Sequence, residues 1–291
     1  MLALNTPSSV QRHWQGQLDL HYRHAPDHGT RLRHRHEGPM RVFKSLYPEG
    51  PHCCHTILIH PPGGLVGGDR LDISVRLEEH AHALISTPGA ARFYGSDALA
   101  AHQSVQLKLA PGARLEWCPL ETIAYPGCMA ENRWQAELAP GAELIAWDLV
   151  ALGLPAAQQA FTHGMYAQQW RIDGIWLEQA RIHASDQRLM QGALGLAGHR
   201  ALATMVFASA EALTATRQNQ LLEAARETLA ATAAHHQHVP LAVTCPNRHL
   251  LVMRGLAAQI EPLMHACQAV WATWRAEGWG MRQHAPRIWQ V

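Results

Sequence analysis

The segment His60–Asp69, with the sequence HPPGGLVGGD, decides the fold because it joins two segments of strand character. His55–Ile59 before it is an apolar run with β-branched residues, and Leu71–Leu77 after it alternates apolar and polar residues, as strands do. Pro61 and Pro62 cannot donate a ladder hydrogen bond, so the first strand is expected to end before them. The loop also contains four glycines, which reach backbone angles that other residues avoid: Gly63, Gly64, Gly67 and Gly68.

This glycine-rich loop does not have the chemistry of a phosphate site. Gly68 is followed by Asp69, whose carboxylate would repel an anion, where a P-loop carries lysine. The next segment is a predicted strand, so no helix N-terminus is available to face a pyrophosphate. A structural turn is the simplest alternative, with Leu65 and Val66 on a flexible part of the loop.

The charge balance excludes several classes of partner. The 291 residues include 24 basic and 23 acidic side chains and carry a formal net charge of +1. That balance favours neither nucleic acid nor an anionic membrane. Met1–Pro7 lacks the features of a signal peptide, and the apolar run Leu144–Ala157 contains Asp148 and is too short to span a bilayer. Because six cysteines without secreted-domain spacing indicate reduced thiols, we expect a cytoplasmic protein.

A weak internal repeat runs through the first half of the chain. Val105–Leu115 and Trp134–Leu144 each contain an alternating strand, a Pro-Gly-Ala turn and a leucine, and Val75–Leu84 is a fainter copy. Equivalent leucines recur at intervals of 32 and 29 residues: Leu77, Leu109 and Leu138. This period fits the coils of a stacked β-solenoid or the layers of a β-sandwich.

Helical periodicity appears after about residue 205. Gln218–Ala233 and Leu256–Arg275 each predict an amphipathic helix, and the second has an apolar stripe that ends at Trp271. Leu241–Val243 and His249–Val252 predict a strand pair between them. Before this region, Trp170–Leu177 predicts a hairpin whose Asp-Gly turn is of type I′.

The predicted fold class is α+β, mostly β. It consists of a β-helix-like body of stacked β-layers and a C-terminal two-helix segment. We place the body at residues 1–205 and the helical segment, packed on the body, at residues 206–291. A single domain over residues 1–291 is the alternative.

The densest group of metal-binding residue types is the run His52–His55, with the sequence HCCH. On a strand, alternate residues face opposite sides, so only His52 with Cys54, or Cys53 with His55, could share an ion. A structural zinc site needs four ligands, and no second pair has a recognisable spacing, so structural packing is the simpler interpretation. Other histidines are expected at a strand surface or at a helix C-terminus: His80, His82, His235, His236 and His238.

Motifs of nucleophilic or metal-dependent hydrolysis, such as G-x-S-x-G and H-E-x-x-H, do not occur in the sequence. We therefore expect a protein that is not an enzyme. The alternative is a β-solenoid enzyme that acts on polysaccharide through carboxylates such as Glu116, Glu121 and Asp148, although solvated layer ends explain these acids more simply. The 21 histidines leave a metal store as a third hypothesis.

The order of motifs along the chain resembles the UreD family of urease accessory proteins, of which HPPGGLVGGD is similar to the signature. Further blocks carry the resemblance over nearly the whole chain: Gly29-Thr30, Arg41-Val42, Tyr47–Gly50, Thr87–Ala90, Phe93-Tyr94, Pro111–Ala113, Leu115–Trp117, Glu121–Ile123 and Pro286–Trp289. One region departs from the pattern, because Leu154 and Gln158-Gln159 replace an expected Gly-Arg continuation and a Gly-Glu pair.

The resemblance implies a β-helix-like scaffold, or metallochaperone, for insertion of nickel into urease. It implies a hetero-oligomer with apo-urease, with UreF and, through UreF, with the GTPase UreG. No tightly bound cofactor is expected; Ni²⁺ would pass transiently, with Cys54, His55 and His60 as candidate ligands. The expected signature-loop and partner-interface residues are His60, Pro61, Pro62, Gly63, Gly64, Gly67, Gly68, Asp69, Tyr47, Glu49 and Glu121.

Overall fold

The structure is a computed structural model that describes residues 13–96, 99–235, 239–281 and 284–290. Its strands are β1 (Gln15–Ala25), β2 (Gly29–Glu37), β3 (Arg41–Leu46), β4 (Cys53–Ile59), β5 (Arg70–Leu77), β6 (His82–Ser86), β7 (Ala91–Phe93), β8 (Ala101–Leu109), β9 (Arg114–Trp117), β10 (Thr122–Ala124), β11 (Met129–Leu138), β12 (Glu143–Leu154), β13 (Gln159–Ala160), β14 (Met165–Ile172), β15 (Trp176–His183), β16 (Ala201–Ser209), β17 (Leu241–Asn247) and β18 (Leu250–Ala257). The helices are α1 (Gln187–Gln191), α2 (Ala215–His235) and α3 (Glu261–Trp279), with 3₁₀ turns at Pro155–Ala157 and Arg287–Gln290.

Two stacks of parallel strands form the body. One sheet contains the parallel run β1-β5-β8-β11-β14, and the other contains β4-β6-β9-β12. The chain passes from β4 to β5, returns to β6 and continues in this way through β8, β9, β11, β12 and β14. Each coil therefore buries its apolar side chains between the sheets and against its neighbours. The predicted fold class, a mostly β protein of solenoid-like stacked coils, is confirmed.

The register of the strands confirms the repeat. Leu77 pairs with Leu109, and Leu109 pairs with Leu138. The Pro-Gly turns also stack, because the Gly112 amide donates to the Pro140 carbonyl at 3.1 Å. His80 occupies the equivalent turn position of the fainter copy and has φ +56°, close to the +66° of Gly112. The intervals read from the sequence thus correspond to successive coils.

The C-terminal part extends one sheet and covers it with helices. Strands β16, β18 and β17 continue the β12 edge in antiparallel order. Side chains of α2 and α3 pack on the outer surface of this sheet in a second apolar core. The predicted helix at residues 218–233 and the strand pair are confirmed. The division into two domains stays a prediction, and its boundary at residue 205 lies within β16.

Two local predictions were wrong. The second helix begins at Glu261, not Leu256, because Leu256 pairs with Leu202 in the sheet and Pro262 suits only the first helical turn. The hairpin after β14 has a three-residue loop in which Gly174 takes φ +71°. A type I′ turn requires a positive φ at both of its central residues. Asp173 is not one of the described non-glycine residues with a positive φ, so the turn is not of type I′.

None of the helices in the described ranges is long and apolar enough to cross a membrane.

Candidate functional site

The signature loop is held by the carboxylate of Asp69. Strand β4 ends at Ile59 and β5 begins at Arg70, as the two prolines and the alternation predict. The Asp69 side chain is buried and accepts hydrogen bonds from the backbone amides of Trp14, at 2.9 Å, and Val66, at 3.0 Å. Its charge is therefore directed inward, where it fixes the turn.

The loop is more rigid than the sequence suggests. Leu65 is fully buried, its amide donates to the Arg92 carbonyl at 2.7 Å, and its carbonyl accepts from the Tyr94 amide at 2.8 Å. The prediction of flexibility at Leu65 was wrong, because one β-bridge to Phe93 fixes the loop to the next coil. Val66 remains 45% exposed.

Two glycines of the loop answer specific backbone requirements. Gly68 has φ +90°, which a residue with a Cβ adopts only with strain. Gly67 has an ordinary φ, but a Cβ there would overlap the Ser96 hydroxyl and the Leu99 carbonyl. The loop therefore depends on glycine both for its turn and for its close contact with the segment after β7.

The outer side of the loop is apolar and exposed. Pro61, Pro62 and Val66 lie at the surface, and Tyr94 packs beside Gly64. Tyr94 is 36% exposed, and its ring meets that of Tyr125 edge-on at 4.9 Å. A protein partner could cover this surface without burying a charged side chain.

A cavity of about 210 Å³ lies between the two sheets, beneath the signature loop. His60 and Gly63 of the loop contribute to its wall, and Thr87–Ala90 lie on the other side. Aromatic rings supply much of the remaining wall, and they belong to Trp117, Trp134 and Trp170. The signature loop is thus also the wall of an internal chamber.

Asp148 is the carboxylate of this chamber. It lies on β12, and Asn132 of β11 donates to it at 3.5 Å and to the Tyr166 hydroxyl at 3.1 Å. Burial raises the pKa of Asp148 to about 6, and burial lowers the pKa of His60. At neutral pH the chamber therefore offers one carboxylate and one neutral imidazole, both of which can bind a divalent cation.

A second group of polar side chains is buried between the sheet and α3. Arg275 of α3 is fully buried and donates to both oxygens of Glu49 at 2.9 Å, while its Nε lies 3.2 Å from Glu116. His55 lies 2.7 Å from Glu49, and His82 lies 2.7 Å from Glu116. Two carboxylate–imidazole pairs thus share one guanidinium.

The electrostatics of this group follow from burial and pairing. Burial alone would raise the pKa of Glu116, but the hydrogen bond from His82 and the charge of Arg275 bring it below its ordinary value. The pKa of Glu49 is lowered in the same way by His55 and Arg275. Burial and the two carboxylates raise the pKa of the Cys53 thiol, which is therefore protonated in this arrangement.

The structure separates the candidate metal ligands that the sequence suggests. Cys54 faces the core between the sheets, where its thiol donates to Tyr47 at 3.5 Å, while His55 belongs to the group around Arg275 and His60 to the chamber. Tyr47 is partly buried, which raises its pKa to about 12, and the Arg31 guanidinium lies over its ring. His236 and His238 lie outside the described residues, as does the His235 side chain.

The three acids of the alternative enzyme hypothesis do not form one site. Glu116 is fully buried and bonded to His82, Arg275 and Trp271, so the expectation of a solvated layer end was wrong for it. Asp148 faces the chamber, and Glu121 is partly buried with its carbonyl bonded to the Ala91 amide at 2.9 Å. At the atypical segment, Leu154 precedes a 3₁₀ turn, and Gln158 and Gln159 are exposed.

Sequence reasoning missed the roles of Arg275 and His82, whereas its option that Cys53 and His55 share one face agrees with ligand atoms that lie within 4.8 Å of each other. His82 was expected at the surface but is 8% exposed, because β6 lies in the middle of its sheet under α3. The spacing Cys267, Trp271, Arg275 places the arginine on the apolar stripe of α3, and this was the available signal.

Comparison with known proteins shows the family of this chain. The sequence model described as UreD urease accessory protein matches residues 15–290. Curated relatives named urease accessory protein UreD occur in Leptothrix cholodnii, 48% identical over 284 residues, and in Variovorax paradoxus, 48% identical over 276 residues. These alignments cover 96% and 95% of this chain, and 99% of each relative. A relative of the same name in Albidiferax ferrireducens is 49% identical over 278 residues, 96% of this chain and 99% of the relative. The chain therefore belongs to the UreD family of urease accessory proteins.

Proposed function

We propose that this chain acts in urease maturation as a non-catalytic scaffold through which Ni²⁺ reaches apo-urease. In this proposal it works in the cytoplasm in a complex with UreF and, through UreF, with the GTPase UreG. Family membership over nearly the whole chain supports a role in maturation.

The chamber beneath the signature loop is the observation that carries the nickel part of the proposal. It lies between the sheets, and it offers Asp148 and His60 as ligands. Two protein ligands are fewer than the four to six that a firmly held first-row ion takes, so an ion would remain mobile there. This matches a passage for Ni²⁺ as cargo, with no tightly bound cofactor.

The outer side of the signature loop carries the partner part of the proposal. Pro61, Pro62, Val66 and Tyr94 form an exposed apolar surface directly above the chamber. A partner bound there would place its own ligands next to the cavity wall. Asp69 and the loop glycines then act by fixing the shape of this surface. Glu121 supports the start of β7 through its backbone bond to Ala91, whereas Tyr47 lies beside Cys54 and Glu49 lies in the group around Arg275.

A pull-down with purified UreF and with apo-urease tests the partner surface. We expect Val66→Glu to weaken capture of at least one partner tenfold or more, because a charge is buried in an apolar contact. Leu194→Glu is the matched control, since Leu194 is fully exposed and lies outside the loop. Capture by Val66→Glu equal to that of the wild type, for both partners, would contradict the assignment of the loop.

A further inference from the structure

We propose that the side chains around Cys53 form a binding site for one first-row divalent metal ion, separate from the chamber. The candidate ligands are Cys53, His82 and Glu116, and the second set of Glu49, Cys53 and His55 adjoins them through Cys53. This inference depends on the geometry of the group between the sheet and α3, and it holds whether or not nickel passes through the chamber.

Candidate ligand atoms converge on the Cys53 sulfur. Cys53, His82 and Glu116 each offer a ligand atom within 4.8 Å of the others, and so do Glu49, Cys53 and His55. The Cys53 sulfur belongs to both sets, so it lies between two imidazole–carboxylate pairs. Thiolate, imidazole and carboxylate together suit Zn²⁺ and Ni²⁺ rather than Mg²⁺ or Ca²⁺.

The stacked coils place the candidate ligands of neighbouring strands side by side. Cys53 of β4 pairs with His82 of β6 in a parallel register, and two residues further along the strands, on the same face, His55, Leu84 and Glu116 are in register. Strands in a sheet lie about 4.8 Å apart, so residues in register on adjacent strands bring side chains to ligand spacing. The second pair of ligands, His82 and Glu116, therefore comes from neighbouring coils and not from a sequence motif.

The buried side chains around Arg275 carry an unbalanced formal charge. Two carboxylates, Glu49 and Glu116, face one guanidinium, that of Arg275, so the group has one more negative than positive charge. A divalent ion bound with the Cys53 thiolate brings the sum to zero, and the thiol proton passes to the solvent. Burial favours such a balance, because an uncompensated charge is costly in an apolar surrounding.

Arg275 holds the carboxylate of one candidate ligand, Glu116. Its Nε lies near Oε2 of Glu116, while Oε1 of Glu116 contacts His82. The guanidinium thus holds Glu116 through Oε2, as groups around metal sites do, while Oε1 lies on the side of His82. Tetrahedral bonds of about 2.0–2.1 Å separate nitrogen and oxygen ligands by about 3.3 Å, so His82 and Glu116 need to part only slightly from 2.7 Å.

Cobalt spectroscopy and equilibrium dialysis test this site on the full-length chain. One equivalent of Co²⁺ should give a thiolate-to-cobalt charge-transfer band in the near ultraviolet, which surface histidines cannot produce. Cys53→Ser should abolish the band, while Cys128→Ser, which changes a buried cysteine outside the group, should retain it. Competition by Ni²⁺ and by Zn²⁺ in separate titrations then identifies the preferred ion.

The outcomes separate this proposal from the proposed function. The absence of the band in the wild-type protein, or its persistence in Cys53→Ser, would overturn the metal site. Should Cys53→Ser fail to fold, His82→Gln provides the second test, with an expected tenfold or greater loss of affinity, and unchanged affinity would overturn the site equally. Urease activation measured with the same variants is a separate readout, since the chamber ligand Asp148 is intact in all of them.

Discussion

Replacement of Arg275 by methionine should destabilise the protein more than replacement of any exposed arginine. The guanidinium is fully buried and is the cation between Glu49 and Glu116. Methionine fills a similar volume but leaves two buried carboxylates without their counter-ion. Loss of one partner of a buried ion pair costs about 3–5 kcal/mol of unfolding free energy. For a domain of this size that corresponds to a fall in Tm of about 6–10 °C.

Thermal and urea denaturation of metal-free protein, in the presence of a chelator, measure this effect. Arg226→Met is the matched control, because Arg226 is half-exposed and pairs with Glu223 on α2 at 2.7 Å, a contact that contributes less than about 1 kcal/mol. Arg275→Lys should lie between the two variants, since one ammonium cannot reproduce the two-sided contact. A loss of less than about 1 kcal/mol in Arg275→Met would refute the argument.

The pH dependence of the Arg275→Met deficit follows from the signs of the pKa shifts. The pKa values of Glu49 and Glu116 are lowered in the folded protein, so their stabilisation is present above the ordinary carboxyl range and is lost as the pH falls through the lowered values. Without Arg275 the same carboxyls are buried and keep only their histidine partners, so they take up protons more readily. The deficit should therefore be largest near pH 7 and decrease toward pH 5. An equal deficit at both pH values would contradict this assignment.

Three further predictions concern the loop and the chamber. Leu65→Ala should cost about 2–5 kcal/mol of unfolding free energy because Leu65 is buried, while Val66→Ala should cost less than about 1 kcal/mol; equal losses in urea denaturation would show that the loop does not pack as described. Gly67→Ala should lower both Tm and urease activation because its Cβ overlaps Ser96, whereas Gly89→Ala, whose Cβ meets no atom, should leave Tm unchanged. Asp148→Asn should raise the free energy of unfolding at pH 7 by about 1–3 kcal/mol, since a buried carboxyl with a pKa of about 6 is ionised there at a cost. This stability gain should vanish below about pH 4, and an unchanged Tm at pH 7 would contradict the burial of Asp148. The same variant should still reduce urease activation.

The parts of the fold that could be predicted are those that depend on neighbouring residues. Pro61 and Pro62 end β4, and alternation marks β5, because both signals act within a few residues. The repeat of leucines also predicts the coils, since its period is the length of one coil. The start of α3 could not be placed from periodicity, because Leu256 has the same apolar character on the end of a strand as on a helix.

The buried group around Arg275 could not be predicted because its members are distant in the sequence. Arg275 is 226 residues from Glu49, and the sequence states only that an arginine follows an apolar stripe. Cys53 and His82 meet through the register of two coils, which no motif specifies. Leu65 was misjudged for a similar reason, since one β-bridge to the next coil decides its burial.

We propose that this chain is needed to load nickel into urease. The most direct test measures urease activity and the nickel content of purified urease in a cell that carries the urease operon with this gene deleted, with and without added nickel. We expect nickel-poor, inactive apo-urease at normal protein levels in the deletion strain, and we expect urease activity to return when the wild-type gene is restored. Full urease activity and full nickel content without this chain would contradict it.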